Sequence, residues 1–212
     1  MLRPESGDLY TRFYVEPEFT REGLFDLLAK RYPIREVLYP GCFVHLTPSL
    51  YFPHVVYVDR SQEAQEYFRD STRLISFVRG LKSYRTSPYI RFLAMDYTEP
   101  LPLRQESFDL VIALYAPGIF PGVLPLLRAG GLVLSGMGSA GWQDLQEYGL
   151  VPDLLIRSGG GKYRGEAPTD RAISLALKQS SSGSAGGDMV WKDGKLVFRD
   201  RQTYVVFRKP GR

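Results

Sequence analysis

Apolar residues in this chain form short continuous runs separated by polar segments. Val55 to Val58, Ile90 to Met95 and Phe108 to Leu114 are runs of this kind, and two more span residues 34–39 and 132–134. Strands that are covered on both faces of a sheet show this pattern, whereas strands with one solvated face alternate apolar and polar residues. The runs therefore predict five strands in the core of a sheet.

Between these runs, apolar residues recur near the period of an α-helix. Thr20 and Ser61 are predicted to cap helices that extend to about residues 30 and 81. A shorter helix is predicted over Pro121 to Arg128, ended by Gly130-Gly131. Strands that alternate with helices in this way favour a parallel sheet with right-handed crossovers, that is, an α/β domain.

The last third of the chain has a different pattern. Residues 158–165 and 180–187 are rich in glycine and serine and are interpreted as loops. Asp193-Gly194 lies between two apolar runs and predicts an antiparallel hairpin, because both turn positions need positive φ. We expect one domain over residues 1–212. Its parts are an N-terminal helical extension (1–33), a parallel α/β core (34–157), flexible loops (158–188), and a C-terminal hairpin and strand (189–209).

Composition narrows the class of protein only moderately. The chain has 212 residues, a net charge of +4, two histidines and a single cysteine, Cys42. One cysteine excludes an intrachain disulfide, and no histidine–cysteine cluster has metal-ligand spacing. Neither a signal-peptide stretch nor an apolar run of membrane-spanning length is visible, so we expect a soluble, cytoplasmic protein. The oligomeric state cannot be predicted.

The densest basic stretch covers residues 69–85 and contains four arginines and one lysine. Such a stretch is typical either of the solvated face of a helix or of a surface that binds nucleic acid. Nucleic-acid binding is therefore kept as the weaker of the alternatives.

Ligands of open α/β sheets bind outside the carboxyl ends of the strands, where the strand order reverses. The residues that follow the first four predicted strands are therefore the candidate site. Asp59 ends the second strand, where a carboxylate can accept hydrogen bonds from both ribose hydroxyls. The alternative role for Asp59 is a cap of the following helix, which Ser61 can already provide.

The order of these motifs resembles the class I S-adenosylmethionine-dependent methyltransferases, over about residues 34–136. The resemblance rests on Gly41 in the first turn, the acidic residues Asp59 and Asp96 after the second and third strands, and the segments SFDLVIA and LLRAGG. It implies a Rossmann-like fold, S-adenosylmethionine as cofactor and a small-molecule methyl acceptor. It also implies that Asp59 holds the ribose, Asp96 holds the adenine amino group and Tyr97 packs on the adenine. The full set of expected cofactor-binding residues is Tyr39, Gly41, Cys42, Asp59, Arg60, Asp96, Tyr97 and Tyr115.

The first turn departs from the pattern of this family. Tyr39 stands where the family usually has an acidic residue, and Phe43 and His45 replace two glycines that let the backbone approach the methionine. Either the methionine end binds differently or no cofactor binds. The alternative function is therefore a catalytically inactive binding or regulatory module. His45 by itself is expected to be a surface residue of the loop.

No catalytic residue for a particular acceptor is predicted, and Tyr115 is the side chain expected nearest to the acceptor. Three further motifs carry weaker interpretations. The segment 136–141 satisfies G-x-G-x-x-G but is expected to be a turn, and Gly159 to Lys162 is expected to be a loop rather than a phosphate cradle. Cys42 is expected to be a buried, inert thiol rather than a nucleophile.

Overall fold

The protein is built on one eight-stranded sheet. The structure is a computed structural model that describes residues 8–114, 116, 118–137, 144–181, 189–192, 195–198 and 202–211. The strands of the large sheet are β1 Glu36–Pro40, β2 His54–Asp59, β3 Tyr89–Ala94, β4 Phe108–Ala113, β5 Leu127–Gly136, β6 Val151–Gly159, β7 Lys162–Glu166 and β10 Thr203–Arg208. A separate hairpin consists of β8 Met189–Lys192 and β9 Lys195–Phe198.

Helices lie between most of the strands. They are a π-helical turn at Thr11–Val15, α1 Glu22–Arg31, α2 Pro48–Tyr51, α3 Gln62–Arg69, α4 Ser71–Leu81, α5 Phe120–Val123, α6 Asp144–Glu147 and α7 Asp170–Ser181. Buried side chains form two clusters. One cluster joins the N-terminal segment and α1–α4 to the sheet, and the other contains α5, α6 and part of α7. The sheet is therefore covered on both faces, as its continuous apolar strands predict.

The strand order is β3-β2-β1-β4-β5-β10-β6-β7. Neighbouring strands among β1–β5 are parallel, whereas β10 is antiparallel to both β5 and β6. The chain moves outward from β1 to β3 and then returns to place β4 on the other side of β1. The strand order therefore reverses between β1 and β4, which is where ligands of such sheets bind.

Several predictions from the pattern are confirmed. The five core strands, the hairpin around residues 193–194 and the final strand are all present within a few residues of the predicted bounds. Ser61 caps α3, since the Ala64 amide donates to its hydroxyl at 3.3 Å. No helix among the described residues is long and apolar enough to cross a membrane.

Other predictions are wrong at the level of single elements. The helix predicted from Ser61 to Leu81 is two helices, because Asp70 interrupts it and its carboxylate caps α4 through the Arg73 amide at 2.9 Å. Thr20 does not cap α1; Arg21 occupies that position in the left-handed conformation, with φ +56°.

The short helix predicted over residues 121–128 is present, but it is shorter than predicted. Only α5 is helical there, and β5 already begins at Leu127. Gly130, with φ +73°, belongs to an irregularity of the β4–β5 pairing instead of ending a helix.

Residues 158–165 are not a loop. They belong to the β6–β7 hairpin, whose turn is Gly160-Gly161 with φ of +58° and +70°. The Gly159 to Lys162 segment is thus a hairpin turn. Helix α7 overlaps the start of the second predicted loop, and the rest of that loop, residues 182–187, lies outside the described residues.

The basic stretch at residues 69–85 lies mostly on the exposed side of α3 and α4 and just beyond it. Arg73 makes an ion pair of 3.5 Å with Asp8, and the Lys82 ammonium donates to the Tyr84 carbonyl. This arrangement is that of a solvated helix face, and nucleic-acid binding stays an untested prediction.

Candidate functional site

The carboxyl ends of β1–β4 bring the predicted glycine and both acidic residues to one edge of the sheet. Gly41 follows β1 with φ +65°, which an L-residue rarely adopts. A Cβ placed on Gly41 would lie 3.0 Å from the Cβ of Ala116 and 3.4 Å from Cε1 of Tyr97. The turns after β3 and β4 therefore converge on Gly41, and only glycine leaves room for them.

Asp59 ends β2 and holds two turns through backbone amides. One carboxylate oxygen accepts from the Phe43 amide at 2.7 Å, and the other accepts from the Ser61 amide at 2.9 Å. A carboxylate offers about four lone-pair sites, so about half of its acceptor capacity remains for a ligand. Asp59 can thus fix the turn after β1 and still accept hydrogen bonds from a ribose.

Asp96 lies just beyond β3 and already has several donors. Its Oδ1 accepts from the amide and the hydroxyl of Thr98, at 2.9 and 2.7 Å, and its Oδ2 accepts from Nη1 of Arg60 at 2.8 Å. The hydrogen bonds from Thr98, followed by the charge of Arg60, hold the pKa of Asp96 below its usual value. An adenine amino group would therefore compete with Arg60 for this carboxylate.

Tyr97 was expected beside the adenine and Tyr115 near the acceptor, and the structure describes the first of them. Tyr97 is half-buried, and its ring lies over Gly41. Burial is the main reason that the pKa of its phenol is raised. A half-buried ring beside a glycine offers a flat surface on which a purine can stack. Tyr115 lies outside the described residues, as do residues 138–141 of the G-x-G-x-x-G motif.

The structure places the side chains of Tyr39 and Cys42 inside the protein instead of on the site's surface. Tyr39 is 1% exposed, and its hydroxyl lies 3.0 Å from Nδ1 of His45. The Cys42 thiol is fully buried, and burial raises its pKa well above the usual value. Tyr39 and Cys42 can therefore contact a ligand only through their backbone, and the expectation of an unreactive thiol agrees with this environment.

Phe43 occupies a backbone conformation that normally belongs to glycine. Its φ is +46°, and its ring packs edge-to-face against Phe13, with 5.1 Å between the centroids. The Phe43 amide is held by Asp59, so the strained turn has a fixed geometry. A left-handed L-residue costs about 1–2 kcal/mol, which the aromatic contact and the hydrogen bond offset.

His45 is fully buried, so the expectation of a surface histidine is wrong. Its ring stacks on Tyr14 at 4.3 Å, and its Nε2 lies 3.0 Å from the carbonyl oxygen of Thr20. Because a carbonyl only accepts, Nε2 must carry the proton, and the Tyr39 hydroxyl then donates to Nδ1. Burial, followed by the charge of Arg21, lowers the pKa of His45 to about 3. The imidazole is thus neutral and structural.

The N-terminal segment supplies residues that sequence reasoning missed. Tyr10 hydrogen-bonds to the Thr47 hydroxyl at 2.8 Å, Phe13 covers Phe43, and Tyr14 covers His45. The aromatic residues at 10, 13 and 14 recur at helical spacing, and this pattern indicates a helical turn with one buried face. This segment therefore packs over the turn after β1 and shields it from solvent.

No group of three or more histidine, cysteine or carboxylate side chains that could hold a metal ion occurs among the described residues.

Comparisons with known proteins identify the fold. No family model matches the chain, and no curated protein matches it. The YcgJ protein from Bacillus subtilis superposes with a TM-score of 0.50 and 16% identity, over 89% of this chain and 98% of that chain. Geranyl diphosphate methyltransferase, solved in complex with SAM, gives a TM-score of 0.51 and 11% identity, over 98% and 92% of the two chains.

A third similar structure is the [4+2]-cyclase SpnF, with a TM-score of 0.50 and 17% identity, over 90% of this chain and 81% of that chain. At such identities the likeness shows the fold. The chain has the Rossmann-like class I methyltransferase fold, as the order of its motifs predicts. Because one of these structures is of a cyclase, the fold alone does not decide the reaction.

Proposed function

We propose that this protein binds S-adenosylmethionine at the edge formed by Gly41, Asp59 and Tyr97 and transfers the methyl group to a small molecule. The observation that carries the proposal is the close approach of Tyr97 and Ala116 over the positive-φ glycine, beside a carboxylate with unused acceptor capacity. The similarity in fold to a methyltransferase solved with SAM supports it.

Each half of the nucleoside has a suitable group at this edge. The ribose hydroxyls would donate to Asp59, which keeps about two lone-pair sites beyond the two backbone amides. The adenine would stack on the half-buried ring of Tyr97. Asp96 has three donors and keeps about one lone-pair site for the adenine amino group, beside Arg60, whose side chain is 75% exposed.

The chemistry requires little acid–base help from the protein. When bound, the cofactor would supply a methyl group on a sulfonium, which would become a neutral thioether as the acceptor's lone pair takes the methyl group. Holding the acceptor in line with the carbon–sulfur bond is then the main contribution of the chain, because orientation alone can lower the barrier by several kcal/mol. An acceptor that is already nucleophilic at neutral pH fits this site best.

Calorimetric titration with S-adenosylmethionine and S-adenosylhomocysteine tests the proposal. The native protein should bind both ligands, and Tyr97→Ala should weaken binding by about tenfold through the loss of ring stacking. Tyr89→Ala is the matched control, since Tyr89 is exposed and begins β3, whereas Tyr97 follows the other end of that strand. The absence of heat for either ligand at high micromolar concentration would exclude the proposal.

The second candidate is a non-catalytic member of this fold that serves as a binding or regulatory module. It is favoured by Phe43, whose side chain stands where a glycine would let the methionine approach. Phe43→Gly distinguishes the two functions. Affinity for S-adenosylmethionine that appears only in the variant would indicate a degenerate site, whereas affinity already present in the native protein favours the methyltransferase. His45 is unsuitable for this test, because its replacement would disrupt the core.

A further inference from the structure

A second concave surface lies away from the candidate cofactor site. It is a groove of about 690 Å³ between the outward face of α1 and the edge strand β7. Asp26, Lys30 and Arg31 line it from α1, and Lys162 and Arg164 line it from β7. Its size is within the range of pockets that bind small ligands.

Close packing of α1 against the hairpin builds the walls of this groove. A Cβ on Gly23 would lie 2.7 Å from Cδ2 of Tyr163, and a Cβ on Gly165 would lie 3.1 Å from Cδ1 of Leu154. Glycine at position 23 therefore lets α1 and β7 approach each other, and glycine at position 165 leaves room for Leu154 of the neighbouring strand β6. Asp26 and Lys30 are four residues apart on α1, which puts both on one face of the helix.

The groove is strongly cationic. Four basic side chains face one carboxylate, so its lining has a net charge of +3. The carboxylate of Asp26 is already paired with Lys30 at 2.7 Å. Among the described residues, Lys162 and Arg164 have no acidic partner within ion-pair distance, whereas Arg157 of the adjacent strand pairs with Glu166 at 2.6 Å. Like charges around a concave surface concentrate a positive potential there.

We propose that this groove binds a small phosphorylated molecule, with the phosphate held by Arg31, Lys162 and Arg164. One phosphate group carries about −1.5 to −2 charges at neutral pH, so a diphosphate matches the charge of the groove. Guanidinium groups bind phosphate oxygens through two parallel hydrogen bonds. Leu27, Leu154 and Tyr163 supply apolar surface for the organic part of the ligand.

This site is independent of the proposed cofactor site. The two share no residue, and β1 and β7 are separated by four strands in the sheet. A probe without a base therefore tests the groove without engaging the proposed nucleoside site.

Titration of inorganic pyrophosphate at low ionic strength tests the inference. We expect binding in the micromolar-to-millimolar range that weakens with added salt. Lys162→Glu with Arg164→Glu should weaken it by at least tenfold. Arg79→Glu with Arg85→Glu, at exposed positions outside the groove, is the control and should change it by less than twofold.

Lys162→Gln with Arg164→Gln is a second variant that removes both charges without adding repulsion, and its thermal unfolding shows whether the fold is kept. No pyrophosphate binding by the native protein up to 5 mM (about the weakest specific affinity worth testing) would overturn the inference. Equal losses of pyrophosphate affinity in the groove variants and in the control variant would overturn the inference as well. A glutamate octapeptide that binds more tightly than pyrophosphate would also contradict it, because the groove would then bind an acidic protein segment.

Discussion

The turn after β1 and the proposed adenine end, formed by Arg60, Asp96 and Tyr97, share one sheet edge but are packed in opposite ways. Around the turn, His45 is fully buried, Phe43 is covered by Phe13, and the Tyr39 hydroxyl is used internally. At the adenine end, Arg60 is exposed and Tyr97 is half-buried. The first region is closed by the protein itself, while the second keeps groups that a ligand can reach.

In the nucleotide site that we propose, one half is therefore accessible and the other half is part of the core. The N-terminal segment contacts the turn through Phe13, Tyr14 and Thr20. The binding energy of a ligand should therefore come mainly from its nucleoside part, and stability should depend mainly on the turn.

The largest expected effect is on stability. His45→Ala removes the donor to Thr20 and the acceptor for Tyr39, and it leaves a cavity among aromatic rings. We expect the free energy of unfolding to fall by about 3 kcal/mol or more. Urea denaturation at pH 7 measures this change.

His54→Ala is the matched control, because these are the two histidines of the chain and the His54 side chain is 35% exposed. Its loss should cost less than about 1 kcal/mol. If both variants lost the same free energy of unfolding, the buried turn would contribute no more to stability than an exposed side chain does.

The second effect is a pH dependence of stability. The folded pKa of His45 is lowered to about 3, so the unfolded chain takes up a proton near pH 6.5 and the folded chain does not. The contribution of the neutral His45 side chain to the free energy of unfolding is therefore fully present above pH 6.5, and it is lost as the pH falls towards 3. Between pH 6.5 and 4.5 the loss should be about 2 kcal/mol.

Denaturation of the native protein and of His45→Ala over this pH range isolates the contribution. The difference between the two should shrink as the pH falls, since the variant lacks the titrating group. A difference that stays constant from pH 6.5 to 4.5 would indicate that His45 ionises normally in the folded protein.

The third effect concerns the strained backbone at Phe43. Phe43→Ala removes the ring but keeps a side chain at φ +46°, whereas Phe43→Gly removes both. The glycine variant should be more stable than the alanine variant by about 1 kcal/mol. Thermal or urea unfolding of the pair measures the strain, and the opposite order of stabilities would contradict the left-handed conformation.

The smallest effect tests the open end of the site. Arg60→Ala frees Oδ2 of Asp96, so affinity for adenosine should rise by about two- to fivefold. Arg79→Ala, which changes an exposed arginine of α4, should leave the affinity unchanged. A loss of affinity in Arg60→Ala would show that Arg60 itself binds the ligand.

The sequence predicts the sheet well because strands that are buried on both faces are continuous runs of apolar residues. Runs such as Val55 to Val58 can be strands only in a covered sheet, and the cap at Ser61 depends on one local hydrogen bond. Both features are encoded by neighbouring residues. They are therefore visible without the tertiary structure.

Predictions failed where long-range packing overrides local composition. Strand β7 contains Lys162, Arg164 and Glu166 and lies next to two glycines, so its exposed edge has no apolar alternation. Gly130-Gly131 looks like the end of a helix but accommodates an irregular strand pairing. Neither arrangement can be inferred without the partner strand.

At the candidate site, too, predictions succeeded where neighbouring residues determine the structure and failed where distant residues do. Gly41, Asp59 and Asp96 were predicted from their places after strands, and they do lie at one edge. The burial of His45 depends on Tyr14 and Thr20, which are more than 20 residues away, although its neighbours Val44 and Leu46 are apolar and also fully buried. The pairing of Asp96 with Arg60 depends equally on a residue from another strand end.

The most direct test of the account is a backbone amide NMR titration of the native protein with S-adenosylmethionine. We expect shifts of the amide signals of Gly41, Asp59 and Tyr97 that saturate together, with the signals of Gly23 and Gly161 in the cationic groove unchanged. No shift at saturating ligand, or shifts confined to the groove, would contradict a nucleoside site at the carboxyl ends of β1–β3.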